Sequence, residues 1–225
     1  MRTAWLILPL ALPALLAQVL VVDPAADGLL QPMLFFKGFH ALSTYRVAHS
    51  LWQQGSAASK GAALMLQSRA SELFGVDIHP AATIGNGVML DHANGVVIGS
   101  TVIMGSDVYM LHGVTLGATG KPTYGAKRHP TIGSSVILGA GSTVLGDITV
   151  ADGCTVGASA IVTKDVPAAM TVVGVNKLVE RPAPPPEPKA DEQTDEQPKG
   201  KKVEPKIQGP PDEDDEYTWM YGGGI

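Results

Sequence analysis

Four histidines, His79, His92, His112 and His129, share one stretch of the chain, and three have a charged neighbour. Asp77 stands two residues before His79, Asp91 directly precedes His92, and Arg128 directly precedes His129. A carboxylate that holds one imidazole nitrogen fixes the tautomer and leaves the other nitrogen to act as a base. An arginine beside a histidine offers a planar fork that takes a carboxylate through two parallel hydrogen bonds. A lone histidine would be read as packing. This set, with its acidic and basic partners, reads as a catalytic site with a base and a carboxylate holder. Zinc chemistry of the carbonic anhydrase kind is the rival reading, since three histidines converging on one metal would leave an open fourth position. The histidines are paired as a substrate site requires rather than spaced as ligands, so the first reading needs no metal.

The elements that position these residues follow from a period of six. Aliphatic residues recur at Ile78, Ile84, Leu90, Val96, Val102, Val108 and Val114, and again at Ile132, Leu138, Val144, Val150, Val156 and Val162. The two runs are in phase, and glycine follows at Gly85, Gly133, Gly139 and Gly157. A hexapeptide repeat belongs to a parallel β-helix, in which each repeat gives one short strand and one corner. Three repeats close a triangular coil with the aliphatic inward, and stacked coils supply the core that no single coil can bury. None of the four histidines occupies a repeated aliphatic position, so none is expected on the dry axis. One interruption, Gly117 to Arg128, reads as a binding loop on a rigid scaffold.

The flanks divide the chain into residues 1–22, 23–75, 76–179 and 180–225. Met1 to Val22 is apolar with Arg2 as its only charge. A leader, a buried or oligomer-facing helix and a membrane anchor stay open for it, with Pro9 and Pro13 against the anchor. Asp23-Pro24 opens a helical segment. Helices are predicted over 32–54, with Leu34, Phe35, Phe39, Leu42, Tyr45, Val47 and Leu51 on one face, and over 62–73, with a break at Ser56 to Lys60. Past Pro167 the repeat fades, and Gly174 to Val179 closes the domain. From Arg181 to Glu216 proline and charge dominate, a composition that cannot bury a core and reads as disordered. A net charge of −5 argues against nucleic acid as a partner. The single cysteine, Cys154, excludes a disulfide framework and reads as packing.

The residues also resemble a family. Asp23-Pro24-Ala25, Lys37 to Leu42, Val76 to Ala82, Met89 to Gly95, Val114 to Gly117 and Arg128-His129-Pro130 resemble serine O-acetyltransferase in order and spacing, over roughly Asp23 to Val179. The resemblance implies a left-handed β-helix preceded by short α-helices, an otherwise mainly β fold. It implies acetyl transfer from acetyl-CoA, as co-substrate rather than resident cofactor, to the hydroxyl of L-serine for cysteine synthesis. His92 would be the general base, Asp77 would orient it, and His129 would help hold the serine hydroxyl. Arg128 would hold the serine carboxylate, with Asp91 and Asp23 facing its ammonium. Gly117, Ala118, Gly139, Ala140 and Lys164 would meet the cofactor, which lies in a groove between subunits of a homotrimer or dimer of trimers. The terminal Ile225 would dock into O-acetylserine sulfhydrylase. The expected location is intracellular, in the cytoplasm or, given the apolar N-terminus, an organelle, with no nucleic acid or membrane partner. Two departures stand out: Ala118 replaces a glycine, and the loop before Arg128 is about two residues longer. The region before Asp23 is also shorter than in the family. Another acceptor, or a catalytically weak scaffold acting through its tail, is the further alternative.

Overall fold

The computed structural model describes residues 30–120 and 126–179. The expectations for residues 1–22, Asp23, the centre of the long loop and the tail with Ile225 therefore lie outside the described residues.

Three helices come first: α1 (Leu30–Phe35), α2 (Lys37–Gln53) and α3 (Ala57–Phe74). The first predicted helix is thus two, because Phe36 takes an extended backbone between them. The second starts earlier than predicted. Ser56 is its N-cap, its side chain accepting the N–H of Ser59, so Ala57 to Lys60 are helical rather than a break. Gly75, at φ 66°, ends α3 in the left-handed conformation that glycine adopts at least cost. Phe39, Leu42 and Tyr45 are buried as the apolar face requires, whereas Leu34, Phe35 and Val47 are exposed. On α3 the buried residues are Ser59, Ala63 and Ala70; Leu64 and Leu73 face outward.

The rest is a left-handed parallel β-helix. Its first coil is β1 (Asp77–Ile78), β2 (Thr83–Ile84) and β3 (Met89–Leu90). The second is β4 (Val97–Ile98), β5 (Ile103–Met104) and β6 (Tyr109–Met110). The third is β7 (Thr115–Gly117), β8 (Thr131–Ile132) and β9 (Ile137–Leu138). The fourth is β10 (Thr143–Leu145), β11 (Thr149–Val150) and β12 (Thr155–Val156), and then β13 (Ile161–Val162) begins a fifth. A hairpin of β14 (Thr171–Val173) and antiparallel β15 (Lys177–Val179) ends the stack. Strands of equal rank form three sheets: β1-β4-β7-β10-β13, β2-β5-β8-β11 and β3-β6-β9-β12-β14-β15.

Every aliphatic of the six-residue series is buried, but not at one site. The register pairs Ile78 with Ile98, and Ile98 with Leu116, so the strand residues pointing inward in the second coil are Ile98, Met104 and Met110. Val96, Val102, Val108 and Val114 sit two residues before those positions and line the same core. The reason is two insertions, not one. From Met89 to Val97 the strand spacing is eight residues, and from Thr115 to Thr131 it is sixteen, where six is the rule. The excesses of two and ten make two whole hexads, so the period looks unbroken. The first insertion is the corner at Asp91 to Gly95, which carries His92.

Helix α2 seals the first coil. The hydroxyl of Tyr45 donates to the Ala82 carbonyl at 2.6 Å. The guanidinium of Arg46 donates to the carbonyls of Ile84 and Gly85. His49 Nδ1 lies 2.7 Å from the Pro80 carbonyl oxygen. These side chains satisfy backbone acceptors that no lower coil would meet. Cys154 is buried, its thiol donating to the Pro167 carbonyl at 3.0 Å, in keeping with a packing role.

Candidate functional site

The stacked corners divide the candidate residues into two groups. The corner between the first and second sheets holds His79, after β1, and Arg128-His129, before β8. The corner between the third and first sheets holds Asp91-His92, after β3, and His112, after β6. Three repeats per coil put these groups on different edges of one prism.

At the first edge the imidazole of His129 lies over Gly99. A Cβ there would stand 2.2 Å from both Cδ2 and Nε2 of His129, so only glycine leaves room for the ring. His129 is buried, with 6% of its surface exposed. Its Nδ1 accepts the backbone N–H of Thr101 at 3.2 Å and lies 2.8 Å from Thr101 Oγ1. Lys127 ties the segment down, its Nζ donating to the His129 carbonyl at 2.7 Å and to Asp147 Oδ1 at 2.6 Å. Burial first, then the charges of Arg128, His79 and Lys127, hold His129 below the usual imidazole pKa. His79 is lowered too, chiefly by burial; Asp77 opposes the shift and Arg128 adds to it. The Nδ1 of His79 accepts the Ala81 N–H at 3.0 Å, and its ring meets Trp52 edge to face at 5.1 Å.

At the second edge the chain takes left-handed backbone, at φ 55° for His92 and 59° for Ala93. Such conformations cost non-glycine residues about 1–2 kcal/mol and gather at functional sites. The side chain of His92 is 64% exposed on this corner. Its Nε2 is 3.6 Å from Asp91 Oδ1, and its ring stands edge-on to His112 at 6.1 Å. Asp77 is engaged elsewhere: its Oδ1 accepts from Gln67 of α3 at 2.6 Å, and among the described residues no hydrogen bond joins it to His92.

The expected cofactor residues sit along the corners above these groups. Gly139 has no room for a side chain, since a Cβ would meet Ala158 N at 2.6 Å. Coil stacking alone therefore requires that glycine. Gly117 ends β7 against Leu145, Ala118 and Ala140 are partly exposed, and Lys164 is solvent-exposed. Among the described residues no three His, Cys, Asp or Glu side chains converge as a metal site, and no helix is long and apolar enough to cross a membrane. Sequence reasoning missed Gly99, Thr101, Tyr109, Lys127 and Gln67. Their partners lie 10 to 30 residues away, apart from Lys127's neighbouring carbonyl, so only the coil register exposes them.

A β-helix of hexapeptide coils with histidines raised at two corners defines a class of hexapeptide-repeat proteins. Residues 129–164 match the bacterial transferase hexapeptide model of six repeats, and residues 11–44 match the N-terminal model of serine acetyltransferase. A serine acetyltransferase of Buchnera aphidicola (subsp. Acyrthosiphon pisum) is 55% identical over 157 residues, 70% of this chain and 56% of that protein. The chain thus spans about half the length of the curated relatives it matches. The structure of the soybean serine acetyltransferase complexed with serine matches with a TM-score of 0.73 and 47% identity, over 76% of this chain and 69% of that one. That of the Brucella abortus strain S19 enzyme in complex with coenzyme A matches at 0.74 and 42%, over 80% and 69%. The chain belongs to the serine acetyltransferase family.

Proposed function

We propose that the protein transfers acetyl from acetyl-CoA to the hydroxyl of L-serine, giving O-acetyl-L-serine, with His92 as general base. The observation that carries this is the exposed imidazole of His92 on a strained corner beside Asp91, with no hydrogen bond tying either ring nitrogen among the described residues. A base must have a free lone pair to take a proton. His92 removes the serine hydroxyl proton as the oxygen attacks the thioester carbonyl. The carbon–sulfur bond then breaks, and the proton passes to the CoA thiolate. Arg128 takes the serine carboxylate, and Asp91 and Asp23 face its ammonium. Asp77 is the residue that orients His92 in this reading. Gly117, Ala118, Gly139 and Ala140 let the pantetheine arm lie along the coils, and Lys164 meets a CoA phosphate. These relatives are solved with serine or with coenzyme A, which supports both substrates.

A single prism separates His92 from Arg128 and His129 on two edges. A homotrimer with parallel axes lays one edge of each subunit against a different edge of the next, and so completes three sites. The exposed apolar surface of α2 and α3, a groove of about 660 Å³ lined in part by Leu51, Ala62, Met65 and Leu66, suits a second trimer. The enzyme acts inside the cell, in the cytoplasm or an organelle. Its C-terminal Ile225 docks into O-acetylserine sulfhydrylase through the carboxylate and the aliphatic side chain. Deleting Ile225 from a ten-residue tail peptide abolishes that binding; equal titration with and without it would contradict the docking.

The test of the reaction is thiol release from acetyl-CoA with serine and other hydroxyl or amine acceptors. Serine is used best, and His92→Ala lowers kcat about 10²-fold or more with the assembly intact. Near-normal turnover by the folded variant would remove His92 from the mechanism.

A further inference from the structure

We propose that Thr101 is a positioning residue that locks His129 as a neutral donor, with its proton on Nε2, and holds Arg128 in the same stroke. A backbone N–H can only donate. The N–H of Thr101 points at Nδ1 of His129 at 3.2 Å, so Nδ1 carries the lone pair and Nε2 carries the hydrogen. The Thr101 hydroxyl then uses its full capacity. Its one hydrogen goes to the same Nδ1 at 2.8 Å, as the shorter arm of a three-centre bond. Its two lone pairs accept the backbone N–H groups of Arg128 and His129, each at 3.1 Å. One hydroxyl thereby fixes the ring, its tautomer and the backbone of both residues at the end of the long loop. The Nε2–H lies over Gly99 and offers a hydrogen to an oxygen. Protonating the ring would set an N–H against the Thr101 N–H, so the neutral form is the one the geometry accepts. Around the ring stand Arg128, Lys127 and His79, all positive or able to become so, and none favours the imidazolium.

The tautomer stands on this geometry alone, while its use in holding the acceptor's oxygen rests on the acetyl-transfer reading. The two are therefore tested separately. The first measurement is the ring-nitrogen NMR of the full-length assembly labelled with 15N-histidine, the His129 signals being identified by their loss in His129→Asn. Nδ1 should resonate as an unprotonated nitrogen and Nε2 as an N–H between pH 6.5 and 8. A proton on Nδ1 would overturn the assignment whatever the enzyme does.

The second measurement is kinetic. Thr101→Val keeps the shape and removes all three hydroxyl bonds; Thr101→Ser keeps them. The valine variant should raise the KM for serine about tenfold or more, with the KM for acetyl-CoA unchanged, and serine at this position should restore it. Valine and serine variants with equal kinetics would overturn the positioning role. If the valine variant does not fold, Thr101→Ala takes its place with the same two outcomes. A correct tautomer in a protein that acetylates no acceptor would sink the functional reading and leave the structural one standing.

Discussion

The hydroxyl of Tyr109 donates to Oδ2 of Asp91 at 2.6 Å across one coil, while Oδ1 of the same carboxylate faces His92 at 3.6 Å. Tyr109 pairs with Met89 in the register of β3 and β6, which brings its ring over the corner that carries Asp91. One oxygen of Asp91 is thus engaged, and the other is turned toward His92. Removing the hydroxyl in Tyr109→Phe should raise the KM for serine roughly fivefold, the value of a hydrogen bond of about 1 kcal/mol. Thermal stability should stay within a few degrees. An unchanged KM would show that Asp91 needs no such anchor.

Arg128→Ala deletes the fork proposed to hold the acceptor's carboxylate. Serine use should fall far more than acetyl-CoA binding, and serinamide should be a poor acceptor for the wild type. Steady-state kinetics with both acceptors checks this, and equal use of the two would contradict the assignment.

Gly99→Ala puts a methyl group 2.2 Å from the His129 ring, which Thr101 prevents from yielding freely. Overpacking of this kind costs about 1–3 kcal/mol. The expected result is a folded protein with a lower thermal midpoint and a serine KM raised by an order of magnitude or more. Normal kinetics would mean that His129 moves aside without consequence.

His79 and His129 both titrate below their usual value in the folded state, mainly through burial. The unfolded chain then binds protons that the folded one refuses, so stability is full above about pH 6.5 and is lost as pH falls toward the folded values. Thermal midpoints should drop between pH 7.5 and 5.5, and His129→Asn should flatten the drop. An identical slope in the variant would remove His129 from the acid response.

Much of this architecture was legible because a six-residue period has few structural solutions. Ile132, Leu138, Val144, Val150 and Val156 read directly as inward strand residues, and they are. Ile98, Met104, Met110 and Leu116 did not, because insertions of two and ten residues cancel modulo six and hide each other. The corner at Asp91 to Gly95 was therefore invisible as an insertion, although Asp91-His92 was legible as chemistry. The clamp on His129 was not legible at all. A threonine 28 residues upstream becomes its neighbour only through the coil register and the excursion of the long loop. The start of α3 was lost for a simpler reason: a serine cap followed by alanines and serines carries no apolar period to read.

Tyr45, Arg46 and His49 occupy the backbone acceptors of the lowest coil, and the antiparallel β15 reverses the chain direction at the far end of the third sheet. A bare solenoid end is a template on which another copy adds coil upon coil, by the same parallel pairing that builds the prism. Here that pairing is blocked at the lower end by side chains already in the hydrogen-bonding positions, and at the upper end of that sheet by a strand of the wrong polarity. Coil-upon-coil addition is thereby blocked at both places, and the chain is protected from growth of the solenoid into fibres.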